Sequence, residues 1–214
     1  MPGDADSEAA KDYWRQRVVP SCYTEKVKQV DAILQALKPL CDAGELKSVF
    51  EFGCGTGRTL HWIQRTYPSV SAFGMDVSPI MVQKGLQSFP VNIQLGDEKR
   101  LKRIPDDHFD LVFTCSVLDH IPEPFPPFSD LARIARRYLL LLEPMLVHNP
   151  DGKVFEGRVD DRLTYVSYTY SWNYDAMIAR SQLDVVSRDH LCLAPSGMGP
   201  YHYMWLCRKA GKSY

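Results

Sequence analysis

The stretch EFGCGTG, residues 51–57, constrains this chain more than any other. Gly53, Gly55 and Gly57 follow the apolar run SVFEF (48–52), which reads as a short buried strand, and a helix is predicted over roughly 57–66. Glycines gather at such a strand end where the backbone turns left-handed or lets a ligand lie against it. The strand-then-helix unit repeats downstream. Strands are predicted over 70–76, 91–97, 109–117 and 138–143. Of the helices between them, one is capped by Ser78 with Pro79 at its first position, and one is capped by Ser129 and runs through about Arg137. In this reading the Pro-rich IPEPFPPF is a stiff loop, and Arg133, Arg136 and Arg137 are the solvated face of the helix after it. Strands alternating with helices form a parallel sheet covered on both faces.

The two ends differ. A short helix is expected from Ser7 to about Val18. A second places Val27, Val30, Ile33, Leu34 and Leu37 on one face and is closed by Pro39 and Gly44. Residues 1–44 thus read as an N-terminal helical segment (a lid or cap), and 45–214 as the main domain. After a helix near 173–181, LDVVSRDHLCL and YHYMWLCRKA are joined by APSGMGP without a helix, so they should pair antiparallel. In the second of them Tyr201, Tyr203 and Trp205 alternate with His202, Met204 and Leu206, as in a strand buried on both faces.

Composition narrows the function classes. Hydrophobic residues make up 45% and charged residues 24%, with a net charge of −1, which argues against a broad nucleic-acid backbone site. The longest apolar run, YLLLLEPMLV, is interrupted by Glu143 and Pro144 and is short of the ~20 residues that span a membrane. The acidic start is no secretory signal. None of the six cysteines lies within four positions of another, so a reduced, cytoplasmic chain without a metal centre is expected. The oligomeric state is left open.

Gly-rich turns of this kind hold dinucleotides in G-x-G-x-x-G loops, but this one reads G-x-G-x-G. Glu51, just before it, would repel a pyrophosphate and hold an ammonium. Asp76 ends the second strand 19 residues after Gly57, where a carboxylate can accept both ribose hydroxyls. Asp97 ends the third strand and could accept from the exocyclic amine of adenine. The three ask for an amino-acid end, a ribose, an adenine and no phosphate, a description that S-adenosylmethionine fits.

EFGCGTG, GMD, LGD and FDLVFTCSVLDHIP, in this order, resemble the motifs of the class I S-adenosylmethionine-dependent methyltransferases over about residues 47–143. The resemblance implies an α/β fold: a Rossmann-like three-layer αβα sandwich with a seven-stranded, mostly parallel sheet whose last strand is antiparallel. It implies that Glu51 binds the amino group, and that Gly53, Cys54, Gly55, Thr56 and Gly57 receive the methionine moiety. It implies that Asp76 holds the ribose, that Val77, Met81, Asp97 and Glu98 frame the adenine, and that Ser116 and Val117 line the floor below the sulfonium. Many relatives carry Pro-Gly-Gly before the fifth strand, where this chain has ARRYLLLLEP. There RYLLLLEPMLVHNPDGKVFEGRVDDRL resembles methyltransferases associated with pseudaminic acid and other surface-sugar biosynthesis.

Ligands of such sheets bind beyond the carboxyl ends of the strands. The segment 144–172 is therefore expected to be a substrate-side insertion. Arg158 and Arg162, four apart, could grip a carboxylate or phosphate, with Asn149 and Tyr165 beside them. Tyr13, Trp14 and Arg17 could close over the site from the N-terminal helix. His148, Glu143 and His120 are the ordered candidates for a base. The expected activity is methyl transfer to a small-molecule acceptor, O-methylation first, in a biosynthetic pathway. N-methylation of a small amine or amino sugar is the alternative. A nicotinamide-dependent oxidoreductase and a non-catalytic S-adenosylmethionine-binding protein are the competing classes.

Overall fold

The computed structural model describes residues 4–16, 26–145, 170, 172–192 and 201–211. Two helices, α1 (Asp4–Gln16) and α2 (Lys28–Asp42), precede the sheet. Then β1 (Ser48–Phe52), α3 (Arg58–Thr66), β2 (Ser71–Asp76), α4 (Pro79–Ser88), β3 (Asn92–Leu95), α5 (Glu98–Leu101) and β4 (Phe109–Cys115) alternate. They are followed by α6 (Phe125–Ile134), β5 (Ala135–Met145), α7 (Tyr174–Arg180), β6 (Leu183–Cys192) and β7 (Tyr201–Lys209). The seven strands run in the order β3-β2-β1-β4-β5-β7-β6. The first five are parallel, and β7 lies antiparallel between β5 and β6. This is the Rossmann-like sheet with an antiparallel last strand.

Strand alternation builds two cores from one sheet. Leu111, Phe113, Leu140 and Leu142 point to the face covered by α2, α3 and α4, where Ile33, Leu37, Leu60 and Ile63 meet them. Val112, Leu139, Leu141 and Trp205 point to the other face, against Leu101, Phe128, Leu131 and Tyr174 of α5, α6 and α7. Because β1 sends one crossover to β2 and the chain later returns to β4 on its other side, a crevice opens at the carboxyl ends of β1 and β4.

Three local expectations are corrected. The proline segment is no loop: α6 begins at Phe125, with Pro126 and Pro127 in its first turn, where no intrahelical N–H bond is lost. The helix stops at Ile134, so Arg136 and Arg137 belong to β5. Pro39 does not end α2; its carbonyl accepts the Ala43 N–H and the helix runs on to Asp42. At the opposite edge of the sheet Asp110 is buried. It accepts the backbone N–H groups of Lys47 (2.8 Å) and Ser48 (3.0 Å) and pairs with Arg136 (2.7 Å). Asp110→Ala would strand two buried donors and is expected to cost about 3 kcal/mol in urea unfolding, whereas Arg136→Ala, at a half-exposed partner, costs about 1 kcal/mol or less.

Candidate active site

The crevice is a cavity of about 700 Å³. Its walls come from the loops after β1, β2, β3 and β4, with α1 across the opening. Gly53 shows why the first loop is glycine-rich. Its φ is +72°, and a Cβ there would stand 2.3 Å from Val117 Cγ2. The loop after β4 therefore rests on the backbone of the loop after β1, and the glycine admits the protein's own side chain as well as a ligand.

Three carboxylates reach the cavity from successive strand ends. Glu51 is buried, hydrogen-bonded to Thr59, and its Oε2 has no hydrogen-bond partner. Burial pushes this carboxyl well above its ordinary range, against the pull of Thr59 and the Arg58 charge, with Asp76 adding to the rise. Asp76 accepts the N–H of Gly55 (2.7 Å) with one oxygen and that of Ser78 (2.8 Å) with the other, tying the glycine loop to β2 and to the start of α4. Burial raises it too, and these N–H groups partly offset the rise. Asp97 caps α5, accepting from Lys99 N (3.1 Å) and Arg100 N (3.3 Å) through one oxygen. Ser78 caps α4 through Met81 N, as the sequence pattern predicts.

The loop after β4 forms the floor. Cys115, Ser116 and Val117 line the cavity, and Ser116 has a left-handed φ of +55°. Its hydroxyl lies 2.7 Å from His202 Nε2 on β7. Glu143 is not at the cavity. It is fully buried in β5 and accepts the N–H groups of Val117 (3.0 Å) and Leu118 (3.1 Å). The expectation that it takes a proton from an acceptor conflicts with this place; it holds the loop instead. Asp119 is buried beside it, and Tyr174 presents its hydroxyl to the same pocket of charge. Burial raises both carboxyls, Asp119 to about 8 despite a side-chain hydrogen bond with Glu143 that pulls it down, and the Asp119 charge pushes Glu143 up further, so the pair retains a proton near neutral pH.

His120 lines the cavity, with its ring 4.4 Å from that of Trp14 and its Nε2 3.6 Å from Asp119. Lys11, on the same helix as Trp14, pairs with Glu98 at 2.9 Å. Together these contacts dock α1 across the crevice. Tyr13 packs edge-on against Trp14 and does not reach the lining. The cofactor candidates Glu51, Gly53, Cys54, Gly55, Thr56, Asp76, Val77, Met81, Asp97, Glu98, Ser116 and Val117 all line this one cavity. Gly57 sits at the start of α3 behind them. Arg17, His148, Asn149, Arg158, Arg162 and Tyr165 lie outside the described residues, as does most of the pseudaminic-type stretch. Reading the sequence missed Lys11, Arg58, Cys115 and His202.

A doubly covered sheet with a glycine-turned crevice at its switch point, ringed by strand-end carboxylates, defines a nucleoside-binding α/β domain of the Rossmann-like class. Residues 50–144 match the family described as Methyltransferase domain. Over that segment the chain is similar to a methyltransferase domain. A protein from Oryza sativa subsp. japonica, described as a probable chloroplastic tocopherol O-methyltransferase, is 31% identical over 96 residues, which are 42% of this chain and 26% of that one. The chain thus spans about a quarter of the length of that curated relative. Magnesium protoporphyrin IX methyltransferase from Synechocystis PCC 6803, solved with bound S-adenosylmethionine, superposes with a TM-score of 0.66 at 16% identity, covering 96% of this chain and 97% of that one. The PH0226 protein from Pyrococcus horikoshii OT3 superposes with a TM-score of 0.63 at 17% identity, covering 92% and 98%.

The buried acid pair makes stability depend on pH. Asp119 and Glu143 hold their protons more tightly in the folded chain than in the unfolded one. As pH rises the unfolded state loses them first, so stability falls from about pH 4 to about 8, by roughly 1 kcal/mol per pH unit for each retained proton. Denaturant unfolding across that range should show the decline, and Asp119→Asn combined with Glu143→Gln should flatten it.

Proposed function

We propose that the protein transfers a methyl group from S-adenosylmethionine to a small-molecule acceptor, and that the methylated atom is oxygen. The observation that carries this reading is the ring of three carboxylates on one cavity wall. Glu51 brings an unpartnered buried oxygen suited to an α-ammonium. Asp76, at the end of β2, suits a ribose diol, and Asp97 has an oxygen left for an adenine amine after capping α5. The sugar and base then lie on the β2–β3 side, framed by Val77, Met81 and Glu98, and the methionine lies over the glycine loop. A cavity of about 700 Å³ is ample for a nucleoside-sized ligand and part of a second molecule.

When bound, the cofactor supplies an electrophilic methyl on a sulfonium and a neutral thioether leaving group. The protein's part is to hold, align and exclude water. Alignment of two bound reactants can supply about 7–11 kcal/mol of the barrier. Trp14 and Lys11 of α1 lie across the opening, which suits a cap over residues 1–44 that shuts water out. The acceptor enters from the β4–β5 side, where Val117, His120, Ile121 and Pro122 give a mainly apolar wall. The segment 144–172 supplies its recognition in this reading, Arg158 and Arg162 among it, with Asn149 and Tyr165. Tocopherol and magnesium protoporphyrin IX, named for the two methyltransferases above, are both small molecules, which favours that acceptor class. A nicotinamide cofactor is disfavoured because Glu51 faces the place its pyrophosphate would need. Among the described residues no helix is long and apolar enough to cross a membrane.

Calorimetry tests the reading. S-adenosylmethionine should bind and NADH should not. Asp76→Asn and Glu51→Gln should each weaken binding by about 10–100-fold while the fold persists. Because Glu51 is protonated more readily than a free carboxyl and an ammonium needs it charged, affinity should rise as pH is raised above the ordinary carboxylate range. That slope should disappear in Glu51→Gln. Parent protein with no affinity for S-adenosylmethionine would end the proposal.

A further inference from the structure

Ser116 is the one non-glycine residue with a left-handed backbone on the cavity floor. For a residue with a side chain that conformation costs on the order of 1 kcal/mol or more, and such strain collects where a side chain must be aimed. Two bonds hold it there. Its N–H donates to Leu142 O at 2.9 Å, and its hydroxyl meets His202 Nε2 at 2.7 Å. His202 is buried on β7, one strand beyond β5. The imidazole therefore sits behind the serine, on the side away from the cavity, and is not itself among the lining residues.

The proposed cofactor placement sets the direction of transfer. With the base on the β3 side, the sugar at β2 and the ammonium at β1, the reactive methyl is directed toward β4 and β5. Ser116 is the hydroxyl that the loop after β4 offers there, and Cys115, its neighbour on the wall, has its thiol pushed out of the thiolate range by burial. An alcohol or phenol acceptor needs its proton removed as it attacks, whereas a carboxylate or a free amine does not.

We propose that Ser116 and His202 form a proton relay for a hydroxyl acceptor, with Ser116 touching the acceptor and His202 acting through it. This rests on the methyl-transfer reading above. The acceptor oxygen bonds to the methyl carbon, the carbon–sulfur bond breaks, and its electron pair stays on sulfur as the neutral thioether. The acceptor's proton passes to Ser116 Oγ, and the serine's own proton passes to His202 Nε2. The positive charge lost by the sulfonium is carried by the imidazolium, which releases its proton to solvent before the next turnover. The substrate class that follows is an alcohol or a phenol.

Two measurements decide it. The first needs no cofactor. Nitrogen-15 NMR of the full chain near neutral pH should show His202 Nε2 unprotonated and shifted when Ser116 is changed to Gly, a substitution that removes the hydroxyl and tolerates the left-handed backbone. An Nε2–H tautomer or a standing imidazolium overturns the relay. The second uses S-adenosylmethionine with a panel of alcohols, phenols, carboxylates and amines, read as S-adenosylhomocysteine formed. Hydroxyl acceptors should turn over, and S116G and H202Q should each lower kcat at least 100-fold, with KM and cofactor affinity within about threefold of the parent. Glutamine can keep a hydrogen bond to Ser116 but cannot take its proton, so full activity in H202Q would mean a structural role and overturn the proposal. Turnover confined to amines or carboxylates, or none at all with the cofactor bound, also overturns it while leaving the cofactor reading standing. Loss of cofactor binding in the parent itself would remove both, and calorimetry tells the cases apart.

Discussion

The cavity depends on carboxylates that grip main-chain N–H groups at the ends of strands. Asp76 holds Gly55 and Ser78, and Glu143 holds Val117 and Leu118. Asp97 holds Lys99 and Arg100. Loops at the carboxyl ends of a parallel sheet have no partner strand for their donors, and a buried donor left unpaired costs about 1–3 kcal/mol. One carboxylate satisfies two such donors at once and fixes the loop in a single shape. Where the carboxylate is ionised, such a bond is charge-assisted and stronger than a neutral one. Rigidity at the site is thus a by-product of satisfying the backbone.

The same device sets the electrostatics. Glu51, Asp76, Asp97 and Glu98 all line one cavity, against Lys11 and Arg58 as the cations there. Part of this negative charge is compensated locally, through the backbone donors and the Lys11–Glu98 pair. Glu51 is the exception, with a buried oxygen that nothing in the described structure satisfies. A buried carboxyl left so either keeps a proton or waits for a cation. On the proposed reading a ligand with an ammonium and a sulfonium resolves that cost, and Glu51, more than the glycines, then separates this loop from one built for pyrophosphate.

What could be read from the chain was local, and what could not was long-range. The glycine turn, the Ser78 cap with Pro79 behind it, the strand-end acids and the helix-less pair at the C-terminus are all encoded within a few residues. The start of α6 is not legible because the four prolines in IPEPFPPF look like a breaker, although two of them fall where a helix has no bonds to lose. Glu143 was misplaced for a different reason. YLLLLE announces a buried strand but not which way its last side chain points, and a strand-end acid can face the cavity or the core. His202 could not be found at all by pattern. It alternates in register with apolar neighbours, and its partner Ser116 is 86 residues away, joined to it only by the order of strands in the sheet. Lys11 and Glu98 are equally remote in sequence.

This division follows the chemistry. The family match spans residues 50–144, so it takes in β1 from Phe50 on, β2 to β4, and β5 almost to its end, the part that forms the carboxylate ring and the glycine turn. It leaves out β7, which supplies the imidazole behind the cavity floor, and the segment between β5 and α7. A cofactor shared by many enzymes imposes the same groups on every chain that binds it, so its half of the site is legible by resemblance. An acceptor imposes nothing general, and fold alone never names it. The loop after β4 is where the halves meet: Glu143 of β5 fixes its backbone from one side, and His202 of β7 engages its Ser116 hydroxyl from the other. On the proposed relay, acceptor chemistry can change by substitution on β7 while the carboxylate ring stays as it is, because His202 reaches the cavity floor through the Ser116 hydroxyl.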